Sequence, residues 1–155
     1  MTRLRVPSPV GDWVIEGSDD GLHRVYLPHE SGAIAPSTEE ANPLVTGAAR
    51  ELGEYFTGER RSWDTPLMPL GGTEFQNRVW EVLSGIAYGD TRTYGEVAVE
   101  LGLPGGARAV GGANGANPLP IFIPCHRVVG ADSMGGYAGG LEVKLFLLHL
   151  EGSRT

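Results

Sequence analysis

The glycine pair Gly71-Gly72 separates two stretches of chain with different periodicities, and this change of pattern restricts the fold more than any other feature. Before it, Leu4-Arg5-Val6, Trp13-Val14-Ile15 and Leu22 to Leu27 are short apolar or alternating runs. The sequences Pro9-Val10-Gly11-Asp12 and Ser18-Asp19-Asp20-Gly21 lie between them, and both favour turns. An antiparallel meander is the simplest assembly of three such strands. Residues 28–42, rich in Pro, Ser, Glu and Ala, predict a loop. Asn42-Pro43 then supplies an N-cap and a first helical residue. Leu44, Ala48, Leu52 and Tyr55 or Phe56 recur at helical spacing, and Gly58 ends the helix. Residues 59–72 predict extended or irregular chain.

Beyond the glycine pair the period is that of helices. Thr73-Glu74-Phe75-Gln76 fits a capping box, with Phe75, Val79, Val82, Leu83 and Ile86 as the buried face. Thr93-Tyr94-Gly95-Glu96 is a second capping box, and Gly102 follows the last turn. After Leu103-Pro104-Gly105-Gly106 comes a run of small residues, Ala107 to Gly115. Helix, tight turn, helix is the pattern of a helix-turn-helix. On pattern alone it suits an ordinary helical hairpin in a core slightly better. Asn117-Pro118-Leu119-Pro120 is rigid and non-helical, and Ile121-Phe122-Ile123 predicts a short buried strand that delivers Cys125. A Gly-rich loop over 130–140 precedes a last helix, Leu141 to Leu150, with Leu141, Leu145 and Leu148 on one face. The expected class is α+β. A small antiparallel sheet with a helix occupies residues 1–71, and a mainly helical domain occupies 72–155.

Of 155 residues 41% are hydrophobic and 20% charged, the usual balance of a soluble globular protein. No apolar run is long enough to cross a bilayer. The start, Met1 to Pro7, lacks the apolar core of a secretory signal, so an intracellular, cytoplasmic protein is expected. A single cysteine excludes an intramolecular disulfide and a thiolate metal cluster. His23, His29, His126 and His149 show no metal-ligand spacing. The net charge of −7 argues against nucleic acid as a partner. The deficit lies mostly in residues 1–72, with 6 basic and 11 acidic side chains, whereas 73–155 carry 6 and 8. Any binding to DNA must then use local geometry, backbone amides and a few arginines.

A lone cysteine after an apolar run is by default a small buried hydrophobe. At Cys125 the neighbours point further. His126 and Arg127 can favour the reactive thiolate, and Pro124 fixes the backbone ahead of it. Adjacent strand residues face opposite ways, so pairing Cys125 with His126 requires a bend at Pro124-Cys125.

Asn117-Pro118-x-Pro120, Pro124-Cys125-His126-Arg127-Val128, Gly136-Tyr137-x-Gly139-Gly140 and Lys144 together resemble the methylated-DNA–protein-cysteine methyltransferases, the O6-alkylguanine-DNA alkyltransferases. The likeness is strong from Gly72 to Gly152 and weaker over the N-terminal meander. It implies a ribonuclease-H-like N-terminal domain and a DNA-binding, catalytic C-terminal domain containing a helix-turn-helix. It implies direct-reversal repair in a single turnover. The Cys125 thiolate takes the alkyl group from O6-alkylguanine, or from O4-alkylthymine, in double-stranded DNA. The protein acts as a monomer, without cofactor or membrane. His126 is then the base, acting through a water; Glu151 orients His126, and Asn117 ties the cluster to the backbone. Tyr94 serves N3 of the guanine. The carbonyls of Cys125 and Val128 accept from its exocyclic amine, the N–H of Ala138 reaches O6, and Arg127 and Tyr137 complete the substrate site. Arg108 fills the gap left by the extruded base, on a helix whose Ala107, Gly111 and Gly112 allow close approach to the minor groove.

The chain departs from familiar relatives in three ways. No cysteine near the N-terminus can hold a structural zinc, so no metal is expected. Ala138 replaces a common serine. The stretch Gly130 to Gly136 is about one residue shorter. Two other readings of the same residues are a sensor of alkylated DNA that does not repair it, and a thiol hydrolase using Cys125 and His126. Retention of the nucleophile argues against the first.

Overall fold

A computed structural model describes residues 1–37 and 42–152, and the chain divides into two compact units, Met1–Leu70 and Gly71–Thr155. In the first unit, β1 (Thr2–Val6), β2 (Trp13–Ser18) and β3 (Gly21–Tyr26) form the antiparallel meander, in the order β1-β2-β3. Leu4 pairs with Ile15, and Ile15 with Val25. Helix α2 (Pro43–Phe56) covers the sheet. Asn42 caps it, its side-chain oxygen accepting from the N–H of Leu44 at 2.7 Å. The buried face is Val45, Ala48, Leu52, Tyr55 and Phe56; Leu44 is only half-buried. Leu44 and Val45, at i−4 and i−3 from Ala48, flank the same row, and Val45 is the one that faces the sheet.

The loop expected over 28–42 begins instead with one helical turn, α1 (Pro28–Ser31). Pro28 presets its dihedral angle, and the Glu30 carboxylate accepts from the N–H of Leu27 at 2.9 Å. Residues 38–41 of that expected loop lie outside the described residues. The buried carboxylate of Glu51 accepts from the N–H groups of Asp64 (3.0 Å) and Thr65 (3.2 Å), which fixes the irregular stretch after α2.

In the second unit, α3 (Glu74–Ser84) opens with the Thr73 capping box. Its apolar face holds Val79, Trp80 and Leu83, while Phe75 and Val82 are half-buried. Trp80, not expected in this core, donates from its indole nitrogen to the carbonyl of Ala113 at 2.9 Å. Gly72 makes room for that indole. At its φ of 87° a Cβ would lie 2.7 Å from the ring. The strand β4 (Arg92–Thr93) leads directly into α4 (Tyr94–Glu100), whose N-cap Thr93 forms the second capping box. A turn with Gly102 at φ 75° and Gly105 at φ 85° joins α4 to α5 (Ala107–Gly115). These two helices pack against each other, and both pack on α3. Helix α6 (Leu141–Leu150) closes the unit with Val143, Lys144, Leu147 and Leu148 inside. The expected face of Leu141 and Leu145 is wrong: they are 50% and 37% exposed. So many apolar residues in ten leave several possible stripes, and packing against the cysteine turn selects the one containing Lys144.

Candidate active site

The expected strand at Ile121-Phe122-Ile123 is also corrected. Pro118, Pro120 and Pro124 supply no N–H groups, so a ladder cannot extend through this stretch. The chain folds instead into a buried turn, with Ile121 at φ 76°, a costly conformation for a β-branched residue. Pro124, at φ −79° and ψ 67°, is the centre of an inverse γ-turn, closed by the Cys125 N–H donating to the Ile123 carbonyl at 2.7 Å. Cys125–Arg127 then form one turn of 3₁₀ helix. These two turns make the bend expected at Pro124-Cys125, and beyond it the His126 ring turns to Glu151. Strand β5 (Val128–Val129) follows and pairs parallel to β4, so the cysteine turn is anchored beside the start of α4.

Asn117 braces this turn. Its amide donates to the Ile123 carbonyl at 2.8 Å, its oxygen accepts from the Leu119 N–H at 2.9 Å, and it hydrogen-bonds the Cys125 side chain. Burial pushes the Cys125 thiol up to about 11, against the opposing pull of Asn117 and the Lys144 charge. At neutral pH the sulfur therefore holds its proton, and nucleophilic attack requires a base.

His126 is fully buried, with Nε2 2.7 Å from the Glu151 Oε2. Burial holds it below the ordinary imidazole value, while Glu151 pulls upward. Its Nδ1 is buried with no protein partner among the described residues. Glu151 caps the end of α6, so the helix sets the position of the carboxylate. Arg127 does not reach toward a substrate site. Its Nε donates to Glu151 Oε1 at 2.8 Å, its Nη2 to Oε2 at 3.0 Å, and its Nη1 to the Ile86 carbonyl at 2.7 Å.

Tyr94, the first residue of α4, donates to the Gly136 carbonyl at 3.4 Å. Burial raises this phenol, and the nearby sulfur adds to the effect. The Tyr137 hydroxyl is buried beside Cys125, also raised, and has no protein partner among the described residues. Ala138 is exposed on the loop. The two carbonyls expected to face a guanine amine are already engaged. That of Cys125 accepts from Asn114 Nδ2 at 3.2 Å and from the Val128 N–H, and that of Val128 accepts from Lys144 Nζ at 2.6 Å. In this conformation Cys125 has no free lone pair on its carbonyl, and Val128 at most one.

Sequence reasoning gave no role to Lys144 or Asn114. Lys144 is fully buried and donates to the carbonyls of Val128 and Gly136, which ties β5 to the glycine loop. Burial lowers it to about 8, and only a Cys125 thiolate would pull the other way. A signal was present: Lys144 is the one lysine in a chain whose other cationic side chains are arginines. Asn114 had none beyond being a polar residue in a run of Gly and Ala.

On α5, Val110, Ala113 and Asn114 point inward. Arg108, Ala109, Gly112 and Gly115 are exposed, and Ala107 and Gly111 are partly covered. A Cβ on Gly111 would meet the Tyr94 ring at 3.9 Å, and one on Gly112 would meet nothing. The outer face is therefore a smooth helical surface with Arg108 as its single charge.

The family model for the 6-O-methylguanine DNA methyltransferase DNA-binding domain matches residues 74–153, and that for the ribonuclease-like domain matches 5–69. A methylated-DNA–protein-cysteine methyltransferase of Methanosarcina acetivorans is 47% identical over 149 residues, covering 94% of this chain and 95% of the relative. The constitutive one of Bacillus subtilis is 40% identical over 151 residues, covering 93% and 91%. The crystal structure of Mycobacterium tuberculosis OGT in complex with DNA superposes with a TM-score of 0.86 at 42% identity, over 98% of this chain and 93% of that one. Family models over both units, near full-length relatives and the cysteine turn agree: the chain belongs to the 6-O-methylguanine DNA methyltransferase family.

Proposed function

We propose that this protein repairs DNA by direct reversal, moving an alkyl group from O6 of guanine to the sulfur of Cys125 and acting once. One observation carries the reading: the only thiol of the chain is buried next to a His126–Glu151 pair, on the unit that bears the smooth α5 face. The relatives' names, and the solved neighbour bound to DNA, support a DNA substrate.

His126, acting through a water, removes the thiol proton. The sulfur attacks the alkyl carbon; the S–C bond forms as the C–O6 bond breaks, and the electron pair enters the guanine. The Tyr94 hydroxyl gives a proton to N3, and the proton held by His126 balances the tyrosinate. Overall the thiol hydrogen ends on guanine and the alkyl group on sulfur. O6 lies in the base stack, so the nucleotide must first rotate out, at a cost of a few kcal/mol. Arg108 on the exposed face of α5 is suited to fill the gap. The small residues around it favour the minor groove, whose code is degenerate, as general repair requires.

The test is stoichiometry. With excess duplex containing O6-methylguanine, each molecule should remove one methyl group and then stop. Repeated turnover on ester or amide substrates would replace this reading with a thiol hydrolase. Tight binding without transfer would replace it with a lesion sensor.

A further inference from the structure

Arg127 has no step in the reaction above, yet it is 7% exposed and every arm of its guanidinium is committed. We propose that Arg127 is a positioning residue that holds Glu151 as a bare carboxylate and so fixes which nitrogen of His126 carries the proton. The proposal rests on His126 being the base for Cys125.

The geometry leaves little choice. The guanidinium fork meets both oxygens of Glu151, at 2.8 and 3.0 Å. A protonated carboxyl would turn an O–H toward a donor, so this bidentate contact requires the ionised form. The third arm, on the Ile86 carbonyl, and the Tyr88 ring, 5.7 Å from the guanidinium carbon, keep the fork in place. A carboxylate accepts only, so at 2.7 Å Nε2 of His126 must donate. In the neutral ring the lone pair is then on Nδ1, the buried nitrogen with no protein partner among the described residues. This is the form a base needs.

Arg127 also offsets the charge of Glu151. A carboxylate alone would favour an imidazolium at rest, which has no lone pair to offer. Among the described residues, the charged or titratable groups around His126 are Cys125 and Arg127 on its own turn, Glu151 and Lys144 from α6, and Tyr88 beside Arg127. Helix α3, packed on the same turn, buries only Val79, Trp80 and Leu83. Glu151 pulls His126 toward protonation, while Arg127 and Lys144 oppose it.

Nitrogen-15 NMR of the histidine rings, with a His126 variant for assignment, tests this without DNA. In the unaltered protein at pH 7, His126 should be neutral with its proton on Nε2. In Arg127→Gln its titration midpoint should rise by about one pH unit. The acid limb of Cys125 alkylation by iodoacetamide should move up with it. Arg127→Lys keeps the charge and should restore the midpoint. A merely structural arginine would change stability but not the midpoint or the limb. A proton on Nδ1, or an imidazolium at pH 7, in the unaltered protein overturns the proposal even where no variant folds. So does an Arg127→Gln protein that titrates like the original. Failure of methyl transfer with the expected ring spectrum would sink the proposed function and leave the tautomer intact. The expected spectrum with no acid limb in the alkylation profile would remove His126 as base and overturn the proposal's catalytic sense.

Discussion

Cys125 keeps its proton because burial denies a thiolate the solvation of bulk water, and this has a consequence for stability. Its folded value, about 11, lies above the ordinary 9.0, so the unfolded chain loses the proton first as pH rises. The stabilisation is complete below pH 9 and is lost as pH rises toward 11. Lys144 acts in the opposite sense: lowered from 10.5 to about 8, it contributes above 10.5 and loses that contribution as pH falls through 8. Comparison with Cys125→Ala isolates the thiol. Between pH 8 and 11, denaturant unfolding should show the original protein losing more stability than the variant; equal losses would contradict a protonated buried thiol. At this scale the sequence was only partly legible. A cysteine beside histidine and proline marked a candidate, and the needed bend was foreseen. Glu151 lies 25 positions from His126, and no local spacing joins them; only the family likeness did. The family likeness makes Arg127 a substrate contact, because sequence does not tell which way a guanidinium turns.

Among the elements, the glycine loop before α6 has the most restrictive join. Tyr94 and Lys144 both donate to the carbonyl of Gly136, and Gly135, at φ 72°, lies so close to Tyr94 that a Cβ would be 2.7 Å from its ring. A Tyr94 hydroxyl held by Gly136 cannot also serve guanine, so the loop must release it during the reaction. Gly135→Ala should push the loop away from Tyr94, which is checked by faster iodoacetamide labelling of Cys125 and slower methyl transfer. Labelling no faster than in the original protein would mean that the loop does not control access. The helices were legible where chemistry is local. Asn42, Thr73 and Thr93 cap as their side chains dictate, and each such cap is worth about 0.5–2 kcal/mol. Prolines misled at Ile121-Phe122-Ile123, where apolar character suggested a strand but too few N–H groups remained to build one. The buried face of α6 is not legible in its sequence, because leucines surround a lysine that tertiary contacts draw inside.

The whole molecule carries a charge of −7, and its proposed partner is a polyanion. Only residue placement reconciles the two: α5 presents small residues and Arg108 outward, with no acidic side chain in the helix. A surface that neutralises few phosphates should show a shallow salt dependence, since the slope of log affinity against log salt is about −0.9 per phosphate contact. Arg108→Ala should impair repair of duplex by roughly tenfold or more, as expected where about 1.4 kcal/mol or more of the cost of base extrusion is no longer offset. It should leave repair of the free modified base nearly unchanged, and equal losses on both would remove Arg108 from base extrusion. Composition argued against a nucleic-acid partner, because net charge averages over a surface while binding uses one face of it. The most direct measurement of the central claim is intact mass after incubation with a duplex containing O6-methylguanine. The protein should gain the mass of one methyl group, located on the peptide containing Cys125, and Cys125→Ala should gain nothing. No mass gain, or transfer that persists in Cys125→Ala, would contradict the assignment of Cys125 as the acceptor.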